Sequence, residues 1–481
     1  MTDLGRATGG RGRAGRAPAN AQAGERLSYA EALAAIGARG RFGIRMGLGR
    51  TRAILRELGD PQCEIRGALV GGTNGKGSVL ALAAAAIRAA GLHVGETPKP
   101  HLVTYRERLQ LDGRPVDPET FARLLAEVLP VAARVARRHG EPTEFEVLTA
   151  MVFRWFAEVQ PDVALVEVGL GGRLDATHAW DGGVAAITNV DLDHMDRLGP
   201  TIAAIAREKA AIIERGDQAV TAATGEALTI IRRRARRLGV PLVEVEPPEI
   251  LGWDRDGIDV ELPRLGRTRV GLRGRHQAVN AATAHALLDA LGAADIAHVD
   301  DPARRVGFGS VRWPGRLELF EVAGREVLLD GAHNPAGARA LAVALDDLRP
   351  HLVGGAGRDA PPVTVLMAAM ADKDVAGIVG ALSRSAALGG ATVICTQLDE
   401  PRALSAGALA RLWERHGPDG TTIRLEPDLD AAWGLASGDH PSSARPSPAL
   451  EGPVLVTGSL YLVGAIRARL VDDVALRDPE A

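Results

Sequence analysis

Short runs of Val, Ile, Leu and Ala alternate along this chain with stretches whose apolar positions recur every three or four residues. The runs at 65–70, 163–168, 184–190, 219–222, 327–330, 363–367, 392–396 and 454–457 predict strands. Residues 77–90, 202–214, 278–291, 336–348 and 460–470 predict helices. Strands that are apolar throughout are buried on both faces, so the alternation points to an α/β fold built on parallel sheets. The composition breaks near Pro302–Pro314, and strand–helix alternation restarts beyond it. Two domains are therefore expected, at 26–310 and 311–473, after a disordered tail at 1–25. The Gly/Pro/Ser-rich stretch 437–453 reads as a surface insertion, and no solenoid repeat is evident.

Composition narrows the partners. The chain has 481 residues and a net charge of −3, which gives no basic field for nucleic acid. No apolar run is long enough for a membrane, and the Arg-bearing N-terminal stretch lacks the core of a secretory signal. Two cysteines, Cys63 and Cys395, form no metal or disulfide pattern and suit a reducing cytoplasm. Among 57 basic residues only Lys76, Lys99, Lys209 and Lys373 are lysine. Each is a candidate for work that arginine cannot do, since lysine is a compact point charge whose amine can be neutralised.

The first strand runs into Gly71-Gly72-Thr73-Asn74-Gly75-Lys76-Gly77-Ser78, and an alanine-rich helix follows. Glycines turn the backbone so that N–H groups face phosphate oxygens, the helix start adds partial positive charge, and lysine reaches the terminal phosphates. Thr73, Asn74, Gly75, Lys76, Gly77 and Ser78 are thus candidate nucleotide contacts. The GTNGKGS form resembles the phosphate loop of the Mur ligase superfamily, in the version of folylpolyglutamate and dihydrofolate synthases. The likeness spans about residues 28–470, from YAEALAAI and LGDPQ to VLVTGSLYLVG. It implies an N-terminal ATPase domain with a phosphate loop and a smaller Rossmann-like C-terminal domain. It also implies a monomer that uses ATP and two Mg²⁺ ions to join L-glutamate to tetrahydrofolate or dihydropteroate through an acyl phosphate.

Glu167 ends an apolar strand and opens EVGLGGRLDAT. An acid there suits a Mg²⁺ ligand; an ion pair with Arg173 is the alternative. Lys209 shares an apolar helix stripe with Ile202, Ile205, Ala206, Ile212 and Ile213, so it is expected to be buried. The residues alone favour an ion pair for it. The resemblance implies instead a lysine carbamylated by CO₂ near the metal, with His194 as a further metal ligand. Two positions depart from the family pattern. Lys99 replaces a serine that helps bind Mg²⁺, leaving either a direct phosphate contact by Lys99 or coordination by Thr97. His178 stands where asparagine is usual.

The resemblance also places Asn280 on adenine, with Arg316 and Asp330 closing from the second domain on phosphate and ribose. It puts His333 near the transferred phosphate, so the catalytic candidates are Lys76, Lys209 and His333. A pteroate pocket is implied at Thr143, Glu144, Phe145 and Glu146, and at Leu174, Asp175 and Ala176. On the residues alone, Asn280 has a helix cap as its alternative, Arg316 and Asp330 have surface salt bridges, and Phe145 reads equally as core. A cell-wall Mur ligase is the nearest rival enzyme, and EVGLGGRLDAT and TEFE speak against it. A phosphate-loop switch is the rival of another class, with no use for DGAHNP or an apolar-face lysine.

Overall fold

A computed structural model describes residues 27–471 except 44, 323, 353–359 and 439–450, with 476 and 478 beyond. The expected tail, and most of the expected insertion at 437–453, lie outside the described residues. The first sheet contains β1 (Gly67–Gly71), β2 (Val94–Thr97), β3 (Gln110–Leu111), β4 (Arg114–Pro115), β5 (Val163–Glu167), β6 (Gly183–Ile187), β7 (Gln218–Thr221) and β8 (Leu242–Glu244). Their order is β4-β3-β2-β5-β1-β6-β7-β8. The run from β2 to β8 is parallel, and β3 and β4 pair antiparallel at one edge. Every residue of β1 and β5 is buried, as their apolar runs predict, and Glu167 at the end of β5 is buried with them.

One face of this sheet packs on helices Pro118–His139, Glu144–Val159 and Gly225–Leu238. The other carries helix Lys76–Ala89, flanked by Gln277–Ala293 and Asp301–Ser310. Alanine lets these three helices approach closely, and Gly307 marks the tightest point: a Cβ there would lie 2.4 Å from Ala86 backbone. A small antiparallel sheet, β9 (Glu249–Asp254), β10 (Gly257–Leu262) and β11 (Gly266–Val270), covers the same layer. Ile258, Val260 and Leu262 alternate inward from β10. The strand and helix patterns of the sequence do not predict this sheet.

The second sheet contains β12 (Glu318–Val322), β13 (Arg325–Leu329), β14 (Thr364–Met367), β15 (Thr392–Cys395), β16 (Thr422–Leu425) and β17 (Val454–Thr457), in the order β12-β13-β17-β14-β15-β16. All pairs are parallel except the β12–β13 hairpin. Helices Pro335–Leu348, Val375–Leu382 and Ala406–His416 cover one face, and Leu429–Ser437 and Leu460–Leu470 the other. Arg275 joins the two units through paired bonds of 2.6 Å to Asp347. No helix among the described residues is long and apolar enough to cross a membrane.

Two predicted elements end early for reasons that matter to the site. The run at 184–190 leaves the sheet after Ile187, because residues 188–191 turn to hold the phosphate loop. The helix predicted over 202–214 stops at Ala210, and Ile212 and Ile213 stay buried in the turn that follows.

The close approach at Gly307 is a direct test of this packing. Gly307→Ala should cost about 1–3 kcal/mol of overpacking, read as a lower midpoint in guanidinium denaturation. An unchanged midpoint would show that the helix pair has slack.

Candidate active site

The amino-terminal end of helix Lys76–Ala89 faces the carboxyl ends of β1 and β5, where ligands bind in open α/β sheets. Gly75 caps this helix with φ +83°, and a Cβ on it would lie 2.4 Å from Asn280 Oδ1. Glycine is therefore required on both conformational and steric grounds. Asn280 is itself held by a 2.9 Å bond from its Nδ2 to Gln277 Oε1. This fixes its amide against the phosphate loop, four residues into its own helix rather than at its cap.

The loop is clamped from behind. Thr73 N–H donates to Asn189 O, and Asn74 N–H to Asn189 Oδ1 at 2.9 Å. Thr188 Oγ1 donates to Asn74 O at 2.6 Å, and Thr73 Oγ1 exchanges bonds with Asp191. The main-chain donors of Thr73 and Asn74 are thus spent on the loop's shape. The open donors of a helix are those of its first turn, here Lys76, Gly77 and Ser78.

Glu167 stands at the end of β5 with 3% exposure. Its Oε1 lies 3.8 Å from Lys76 Nζ, and its Oε2 accepts the Lys99 N–H at 2.9 Å. Lys99 Nζ donates to the Glu167 main-chain oxygen at 2.5 Å. Burial raises the Glu167 pKa, and Lys76, Lys99 and Arg316 pull it back. Arg316 belongs to the second unit, so both halves of the chain act on this carboxylate. The alternative partner is otherwise engaged: Arg173 pairs with Glu208 at 2.9 Å.

Lys209 is 4% exposed, as its place in the apolar stripe predicts. Its amine donates to the Gly72 carbonyl at 2.7 Å, so its bond is to the phosphate loop itself. Burial, and then the nearby Lys76, bring its pKa down to about 7. Lys99 comes down to about 8, through loss of solvent that Asp175 and Glu167 only partly offset.

His194 sits in a left-handed conformation and meets the second unit. Lys373 Nζ lies 3.1 Å from Asp193 Oδ1 and 3.4 Å from His194 Nε2. Burial alone would raise the Asp193 carboxyl, but His194 and Lys373 outweigh it and hold it at about 2. Asn334 donates to Asn74 Oδ1 at 3.1 Å and to Asp193 Oδ2 at 3.2 Å. These bonds tie the N-cap of helix Pro335–Leu348 to the phosphate loop. Lys373 drew notice in the sequence only for the scarcity of lysine; no local pattern placed it at this junction.

Asp330 is buried and accepts N–H bonds from Leu317 at 3.0 Å and Ala332 at 2.9 Å, which pins the turn that carries Arg316. His333 Nδ1 lies 2.8 Å from Gly331 O, so that nitrogen carries the proton. Burial brings the pKa of His333 down to about 4, and that of His276 likewise.

An apolar slot opens beside Lys99, lined by Thr97, Arg108, Phe145, Leu148, Thr149, Phe153 and Thr177. The Lys99 ammonium lies 5.3 Å over the Phe145 ring. Thr143 and Glu146 form a capping box at the start of helix Glu144–Val159, and Glu146 also pairs with Arg50 at 2.9 Å. Glu144 lies 3.9 Å from Arg108. Asp175 caps the turn Ala176–Ala179 and accepts from Leu170 N–H at 2.7 Å, while Leu174 O accepts from Gly47. Ala176 is buried in that turn. His178 braces the same loop, 3.2 Å from both Arg173 O and Glu214 Oε1.

The oxygen donors suit Mg²⁺ only sparingly. Glu167 supplies one carboxylate, which fits an ion shared with nucleotide phosphates. No three His, Cys, Asp or Glu residues converge as a metal cage among the described residues. The Thr97 hydroxyl is buried without a hydrogen-bond partner among them, and Thr97 lines the apolar slot.

A phosphate loop on one parallel sheet, facing an arginine and a lysine from a second doubly wound unit, defines a two-domain nucleotide-using enzyme. Comparison with known proteins gives the kind. Residues 70–288 match the Mur ligase middle domain and residues 315–441 the Mur ligase glutamate ligase domain. The dihydrofolate synthase/folylpolyglutamate synthase of Bacillus subtilis is 33% identical over 453 residues, covering 92% of this chain and 99% of that protein. The Mycobacterium tuberculosis protein of the same description is 36% identical over 452 residues, covering 87% and 89%. Among solved structures, M. tuberculosis folylpolyglutamate synthase complexed with ADP and AMPPCP superposes with TM-score 0.79 at 33% identity, covering 93% of this chain and 100% of that one. E. coli FolC in complex with DHPP and ADP gives 0.76 at 28%, covering 92% and 98%. The chain belongs to the folylpolyglutamate synthase/dihydrofolate synthase family of Mur ligases, which are ATP-dependent glutamate ligases.

The histidines at the domain junction give a pH test. Folded, His276 and His333 titrate near 4; unfolded, near 6.5. The unfolded state therefore binds more protons across that window. The stability these groups contribute is full above pH 6.5 and is lost as pH falls towards 4. His333→Asn should flatten the fall in unfolding free energy there by up to about 1.4 kcal/mol per pH unit. Urea titrations at a series of pH values measure it, and an unchanged slope would contradict the neutral buried histidine.

Proposed function

We propose that this chain adds L-glutamate to the glutamyl carboxylate of a tetrahydrofolate and to dihydropteroate, with ATP as the energy source. The observation that carries the reading is the set of Lys76, Lys99 and Arg316, from both units, that acts on the buried carboxylate of Glu167. This is a site for an anion with charge on several oxygens, as a transferring γ-phosphoryl group has.

In this mechanism domains 26–310 and 311–473 clamp ATP between them. Asn280 reads the adenine edge and Asp330 a ribose hydroxyl. The loop's helix start, Lys76 and Arg316 hold the phosphates. The acceptor's carboxylate oxygen attacks the γ-phosphorus; the bond to the bridging oxygen breaks, and ADP leaves. The α-amine of glutamate then attacks the acyl carbon, phosphate departs, and the amine gives up a proton. Phe145 and the apolar side chains beside it are the candidate seat for the flat ring system of the acceptor, and the slot of about 10 Å³ has to widen to take it. His333, neutral at pH 7, serves the transferred phosphate as a hydrogen-bonding neighbour. Bound on Glu167, Mg²⁺ would neutralise phosphate charge.

Lys209 fits a carbamate. An amine with a pKa of about 7 is partly neutral at neutral pH, and the neutral amine is the form that adds CO₂. The product is an anion where a cation stood, next to Lys76. The relatives' descriptions support both acceptors, since the B. subtilis protein is described as dihydrofolate synthase and folylpolyglutamate synthase. Two free cysteines, Cys63 and Cys395, suit the cytoplasm.

The test is product analysis by mass spectrometry with MgATP, glutamate and either dihydropteroate or a reduced monoglutamyl folate. Glutamyl product is expected with both acceptors, and Lys76→Met should lower kcat by about 10²–10³. Nucleotide binding without glutamyl product from either acceptor would overturn the reading.

A further inference from the structure

Positive charge crowds this site. Lys76, Lys99 and Arg316 all act on Glu167, and Lys76 also acts on Lys209. Against them stand the Glu167 carboxylate at the end of β5, Asp175, which also acts on Lys99 and already accepts bonds from Leu170 and Thr177, and Asp193, paired with Lys373. Lys99 is the best fixed of the cations. Its N–H donates to Glu167 Oε2 at 2.9 Å and its ammonium to Glu167 O at 2.5 Å, and its charge lies 5.3 Å over the Phe145 ring.

An ammonium has three donors and no lone pair, so Lys99 cannot coordinate a metal. It repels one instead, at short range and away from bulk water. Mg²⁺ needs an octahedral shell of oxygens and gives up water reluctantly. Glu167 already shares Oε2 with the Lys99 N–H and approaches Lys76 through Oε1. One ion that brings phosphate oxygens with it can be held there. A second, on the Lys99 side, would meet the ammonium that caps the Glu167 main-chain oxygen.

We propose that Lys99 is a resident cation that takes a metal ion's place beside Glu167, so that this chain works with the single Mg²⁺ that arrives with the nucleotide. The proposal rests on the ATP-dependent reading given above and revises the two ions expected from the family resemblance.

The test counts ions. Full-length protein saturated with the non-transferable analogue AMPPCP is titrated with Mn²⁺, and free Mn²⁺ is followed by electron paramagnetic resonance. Wild type should hold one Mn²⁺ per bound nucleotide. Lys99→Ser and Lys99→Asn, which remove the charge and add an oxygen ligand, should hold two, and Lys99→Arg should hold one. Two ions in wild type, none with nucleotide bound, or one in the folded neutral variants would overturn the proposal. Should both neutral variants fail to fold, the wild-type count decides alone. Glutamylation assays on the same preparation keep the two questions apart. One ion without glutamyl product leaves this proposal standing and sinks the ligase reading; two ions with product does the reverse.

Discussion

Glu167 carries its carboxylate to the end of a strand buried on both faces, into the junction of two domains, with 3% exposure. A charge so placed is costly unless it is paired and hydrogen-bonded. Lys76 comes from the phosphate loop, Lys99 from the segment after β2, and Arg316 from the second domain. The carboxylate is thus the point on which three separate segments agree.

The rest of the site follows from holding these segments still. Residues 188–191 leave their strand to clamp the phosphate loop, and Lys209 ties the helix Ile202–Ala210 to the Gly72 carbonyl. Across the junction, Asn334 bonds both Asn74 and Asp193, and Lys373 faces Asp193 and His194. The nucleotide loop therefore has a direct mechanical link to the second domain. Closure of one domain on the other is felt at the loop through an amide and an ion pair, without a change in either core.

Most of this was readable where chemistry and local pattern coincide. The glycine loop, the acid ending an apolar strand and the lysine in an apolar helix stripe each carry a local signature, and each lies where that signature puts it. Thr143 and Glu146, candidates for substrate contact, also form the capping box that Thr-x-x-Glu before an apolar run encodes. Asp175 likewise spends its oxygens on its own loop. What the sequence could not supply was long-range pairing. Lys373 meets Asp193 across 180 residues, and Arg173 chooses Glu208 over Glu167 because of how a loop folds back. The sheet at 249–270 did carry a period-two signal in Ile258, Val260 and Leu262, short enough to pass for loop.

The central claim is that this concentration of charge serves transfer of a phosphoryl group to a carboxylate. It is tested most directly by following oxygen. A folate acceptor labelled with ¹⁸O in its reacting carboxylate is turned over with MgATP and glutamate, and the released inorganic phosphate is analysed by mass spectrometry. The account predicts one ¹⁸O in each phosphate released, because the attacking carboxylate oxygen leaves with phosphorus. Phosphate that carries no label while amide product forms would mean that the carboxylate never bonded to phosphorus, and the account would be wrong.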